Sequence, residues 1–173
     1  MNEVKVESID GEARPAHAHT LRWGNAQEVR DLMQDLEIGH FDIVLGADLI
    51  YPESVVKAQI TAGLDIKIRD LFVTAGAALR EGGLFLLAHE IRGDMVEVFT
   101  TMSRHATANG FGPPQAVAMD EGPDRVVLSL SFTGKIGGGS EKSSNSDESE
   151  SGWTDLISIL KAIGMGGSSR IQR

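Results

Sequence analysis

Phe41-Asp42-Ile43-Val44-Leu45-Gly46-Ala47-Asp48-Leu49-Ile50-Tyr51 reads FDIVLGADLIY, an almost continuous apolar run rich in β-branched residues that breaks at a glycine and an acid. Runs of this kind belong to strands of a parallel sheet buried on both faces. A central strand is therefore predicted over Phe41 to Gly46. Pro52 suits a first helical turn. Val56, Ile60, Leu64, Ile68, Leu71, Ala75 and Leu79 follow at intervals of three or four until Glu81-Gly82-Gly83, the spacing of a long crossover helix. Leu84 to Ala88 (LFLLA) reads as a second strand. Met95, Val98, Phe99, Met102 and Ala106 form the stripe of a second helix closing at Asn109-Gly110. Gln115 to Met119 and Arg125 to Phe132 (RVVLSLSF) are predicted to pair as an antiparallel hairpin across the turn formers Asp120 to Asp124. Strand, helix, strand, helix and hairpin together predict an α/β chain with a mixed sheet of the doubly wound kind, its ligand at the carboxyl ends of the strands.

That rule places Ala47, Asp48 and Tyr51 at a polar mouth. From the pattern alone, Asp48 could equally cap the following helix and Tyr51 could simply pack. His89 and Glu90 follow the second strand, where a solvated strand end is favoured over a role in the pocket. His17 and His19 stand two apart without further spaced ligands, so no metal is assigned.

The 173 residues, 41% hydrophobic and 24% charged, suffice for one domain plus a tail. No apolar run approaches the roughly 20 residues of a membrane span. The start, MNEVKVESIDGEARPAHAH, has the pattern of neither an export nor an organelle address, so a soluble protein of the cytosol or nucleus is expected. The lack of cysteine excludes disulfides, thiol catalysis and cysteine zinc sites. A net charge of -9 argues against nucleic-acid phosphates and anionic membranes as partners, and favours a basic protein. Lys135 to Gly152 (KIGGGSEKSSNSDESESG) holds too little apolar surface to fold, and Ser143 to Ser151, with its interleaved acids, resembles an acidophilic kinase substrate. Beyond it Trp153, Leu156, Ile157, Leu160 and Ile163 recur at helical spacing. This short helix would dock on a partner or a membrane surface through 153–163 or, the favoured reading, fold back on its own domain or form only marginally.

Leu21-Arg22-Trp23-Gly24, the stretch Phe41 to Tyr51 and Leu84 to Ala88 together resemble the methyltransferase-like family 21 of protein-lysine methyltransferases, class I enzymes that use S-adenosylmethionine. There an L-x-W-G turn precedes a strand written F-D-[ILV]-[ILV]-L-G-A-D-[ILV]-[ILV]-Y, ending in a D-x-x-Y signature. The resemblance spans Thr20 to Phe132 and is most specific over Gly46 to Tyr51. It implies the C-terminal part of a Rossmann-like, seven-stranded methyltransferase sheet with a terminal antiparallel hairpin, S-adenosylmethionine as cofactor and a protein lysine as substrate. It also implies that Trp23 contacts the adenine side of the cofactor and Ala47 lines the same pocket, while Asp48 and Tyr51 shape the mouth that receives the amine. Methyl transfer to lysine is an in-line displacement that asks mainly for positioning of a neutral amine. An aromatic wall and a carboxylate suit a cationic centre.

The chain departs from that family at its start. Such enzymes open with a strand, a glycine-rich turn and a helix, then a strand whose acid holds the ribose. No G-x-G precedes Trp23, and about 20 residues are too few for two strand-helix units. The chain is expected to begin inside the domain, as an incomplete gene product, a fragment completed by another polypeptide or a binding protein without catalysis. A partial methyltransferase domain over 1–133, a linker over 134–152 and a helix with tail over 153–173 are expected. The strand at Phe41 to Gly46 should then carry an unpaired edge. The rival expectation is a non-catalytic interaction module that uses this edge and the Trp153 helix.

Overall fold

The computed structural model describes residues 4–7, 13–16, 18–50, 62–90, 95–119, 125–134 and 152–158. Tyr51, the stripe residues Val56 and Ile60, His17, the linker from Lys135 to Ser151, and Leu160 with Ile163 lie outside them.

Two short strands, β1 (Val4–Glu7) and β2 (Ala13–Ala16), pair antiparallel as a separate ribbon. Helix α1 (Ala26–Asp35) follows, its first turn capped by Asn25, whose side-chain oxygen accepts the Glu28 N–H at 3.2 Å. Then come β3 (Phe41–Ala47), α2 (Ala62–Ala78), β4 (Leu79–Glu90), α3 (Val96–Ala108), β5 (Gln115–Met119) and β6 (Arg125–Ser131). The four long-range strands form one sheet in the order β3-β4-β6-β5. β3 and β4 are parallel with α2 as their crossover, β6 runs antiparallel to β4, and β5 pairs antiparallel with β6. The expected mixed α/β sheet with a closing hairpin is the one observed.

The α2 stripe is buried at Leu64, Ile68, Leu71 and Ala75, and the α3 stripe at Val98, Phe99, Met102 and Ala106. Both meet the same sheet face, where Phe85 and Leu87 of β4 alternate with Val126, Leu128 and Leu130 of β6. Rings concentrate at the centre: Phe72 stands 5.4 Å from Phe111 and 6.0 Å from Phe85, and Phe111 lies 5.2 Å from Phe132. The segment 152–158 is helical, and its Trp153, only 3% exposed, joins this core with Leu156. Folding back on its own domain is thus what the described part of the last helix does. Gly152 lets it approach, since a Cβ there would stand 2.9 Å from Cβ of Pro113.

Two expectations need correction. The crossover helix ends at Ala78, and Leu79 already pairs with Phe41 as the first residue of β4. The ladder then shifts before Ile43 meets Leu84. Gly82, at φ +77°, and Gly83 belong to this irregularity, for a Cβ on Gly83 would stand 2.9 Å from the Arg80 carbonyl.

The second correction concerns β3, which is not buried on both faces. Phe41, Ile43 and Leu45 are 44%, 51% and 74% exposed, because no described element lies over the face opposite α2 and α3. On that face Ile43 and Leu45 adjoin Leu84 and Leu86 of β4, which in turn adjoin Ser131 and Ser129 of β6. The uncovered face therefore grades from serines at β6 to bare aliphatic side chains at β3. β3 also ends the sheet and pairs with β4 alone among the described residues.

Candidate functional site

Gly24 fixes the Trp23 turn. It adopts a left-handed backbone, φ +84°, and its N–H is shared between the Asp70 carbonyl at 3.1 Å and Thr74 Oγ1 at 2.9 Å. The Thr74 hydroxyl in turn donates to the Asp70 carbonyl at 2.8 Å. A Cβ on Gly24 would stand 2.5 Å from Cγ of Asp70, so the close approach requires glycine. These bonds clamp Leu21 to Gly24 onto α2 and leave Trp23 39% exposed.

The indole faces an apolar groove of about 330 Å³ that follows the free edge of β3. Phe41, Ile43, Val44 and Leu45 form one wall; Leu71, Thr74, Ala75 and Ala78 of α2 form the other. Thr74 is the one side chain in these walls with a polar group, and its hydroxyl is already engaged by Gly24 and Asp70.

Asp48 lies where β3 ends, in a left-handed conformation with φ +48°. Its N–H donates to the Ala88 carbonyl at 3.0 Å, and its Oδ1 accepts the Glu90 N–H at 3.1 Å. The carboxylate therefore ties the carboxyl ends of β3 and β4 together. A left-handed aspartate is sterically tolerable but uncommon, and here two hydrogen bonds hold it. Ala47 sits beside it, paired with Ala88. Beneath, Gly46 keeps the strand against the core: a Cβ there would lie 2.8 Å from Leu49 Cδ1 and 3.2 Å from Phe85.

Of the four residues singled out in the sequence, Trp23 lines the groove, whereas Ala47 and Asp48 stand at its far end outside the walls. Tyr51 is outside the described residues. His89 is not a solvated strand end: it is buried, with its ring 6.2 Å from Phe99 in an edge-on arrangement. Period two along β4 carries it to the same face as Phe85 and Leu87. Glu90 contributes its backbone N–H to Asp48, a role invisible in residue types. Asp70 and Thr74, which seat Trp23, also escaped sequence reasoning, although Thr74 follows the helical stripe as a polar interruption beside Ala75.

A larger cavity, about 470 Å³, lies at the opposite ends of β3 and β4, between Arg30, His40, Phe72, Arg80 and Phe132. Arg80 is occupied there by Asp42 and by the Glu81 carbonyl. Nothing in it corresponds to the carboxyl-end chemistry, and the smaller groove beside Trp23 is the better candidate. A separate cluster ties α2 to α3, where Asp65 binds Arg104 and, at 3.1 Å, His105 Nε2. The hydrogen bond to His105 is the main cause that holds the Asp65 carboxyl below its ordinary 3.8; the charges of His105, Arg104 and Arg69 add to it, and desolvation opposes it.

Among the described residues no three His, Cys, Asp or Glu side chains gather as a metal site, and no helix is long and apolar enough to cross a membrane. No family model matches the chain, and no curated protein matches it.

Proposed function

We propose that the described residues form the substrate-side half of a class I S-adenosylmethionine-dependent methyltransferase whose acceptor is a lysine side chain of a protein. The observation that carries the reading is the strand order β3-β4-β6-β5, a parallel βαβ unit extended by an inserted antiparallel strand and its hairpin partner. This is the carboxyl-terminal sheet arrangement that the resemblance over Thr20 to Phe132 implies. The clamped Trp23 turn beside β3 and the pinned Asp48 at its carboxyl end add support.

The described residues alone do not fit the cofactor. An adenine ring finds apolar walls beside Trp23, but ribose hydroxyls and an amino-acid end need polar partners, and the hydroxyl of Thr74 is already in use. The contribution of these residues is therefore positional. Asp48 sets a carboxylate at the mouth where an uncharged amine is to be aligned, and Trp23 an aromatic wall on the adenine side of the cofactor.

Calorimetry with S-adenosylmethionine tests this reading. This chain should bind at millimolar Kd or weaker, and a form extended upstream in its own reading frame at micromolar Kd. The extended form should lose at least about tenfold with Trp23→Ala, roughly the 1.4 kcal/mol of one aromatic contact. Tight binding by the unextended chain, or binding by the extended form that ignores Trp23→Ala, would refute it. A second reading rests on the open β3 edge: a non-catalytic module that holds a protein partner there.

A further inference from the structure

We draw no further inference here: the strongest candidate, the cavity of about 470 Å³ at the amino ends of β3 and β4, has its guanidinium groups already held, Arg30 by Gln27 and Arg80 by Asp42 and the Glu81 carbonyl, and nothing in the structure shows what would occupy it.

Discussion

Gly24→Ala probes the joint that seats Trp23, and its cost can be assembled from the structure. Holding an alanine at φ +84° rather than a glycine costs about 1–2 kcal/mol. The new Cβ would lie 2.5 Å from Cγ, 2.6 Å from Oδ1 and 3.0 Å from Cβ of Asp70. The carboxylate can swing away, giving up its partly exposed pair with Arg69, which is worth less than about 1 kcal/mol. The Cβ of Asp70 belongs to the helix and cannot move alone, so residual crowding adds about 1 kcal/mol. The sum is about 2–4 kcal/mol, a large share of the stability of a domain this size. Urea unfolding followed by tryptophan fluorescence measures it. Asp70→Ala in the same chain removes the two closest atoms but keeps Cβ and itself gives up the pair with Arg69, so it should restore less than about 1 kcal/mol, leaving the backbone part and the Cβ crowding. A loss below about 0.5 kcal/mol in Gly24→Ala, or full recovery in the double variant, would show that the turn is not clamped as described.

Phe72→Ala removes the ring at the centre of the aromatic cluster, fully buried against Phe85 and Phe111, and should cost about 3–5 kcal/mol in urea unfolding. Asp65 has a folded pKa below its unfolded value, so its contribution is fully present above the ordinary 3.8 and disappears as pH falls through the lower folded value. Its side chain is 36% exposed, which keeps the contribution under about 1 kcal/mol, and Asp65→Asn should flatten that part of the acid limb in a stability-versus-pH series. Trp153→Ala should undock the 152–158 segment, seen as faster hydrogen exchange there, at a cost of about 2–4 kcal/mol. Trp153→Phe should cost about 1 kcal/mol or less, because the indole N–H it deletes is buried without a partner among the described residues.

Periodicity made the sheet and its helices legible. FDIVLGA, LFLLA and RVVLSLSF are short and rich in β-branched or aliphatic residues, and the stripes through Leu64 and Met102 repeat at three and four over lengths strands do not reach. The same rule failed on how β3 is covered. A run apolar on both faces needs covering on both, and the order of residues does not say that no described element supplies one of the covers. Helix α1 went unread because its stripe is just Val29 and Met33, though Asn25 followed by Glu28 carried a capping signal. The site was legible as residue types at a strand end. What pins those residues was not, because Gly24 meets Asp70 and Thr74 across 46 and 50 positions, and Asp48 meets a backbone N–H 42 positions away. Such partners follow from the sheet register and the crossover, which fix which strand ends and helix turns become neighbours.

The central claim, that these residues form the substrate side of a lysine methyltransferase, is tested most directly by methyl transfer. The form extended upstream in frame is incubated with S-adenosylmethionine carrying a labelled methyl group and a mixture of basic proteins, and the acceptor is identified after hydrolysis. The account predicts label in ε-methylated lysine, lost in Asp48→Asn, which tolerates the left-handed backbone and keeps the bond to Glu90 while removing the charge. Cofactor binding without labelled lysine, or labelling undiminished in Asp48→Asn, would contradict it.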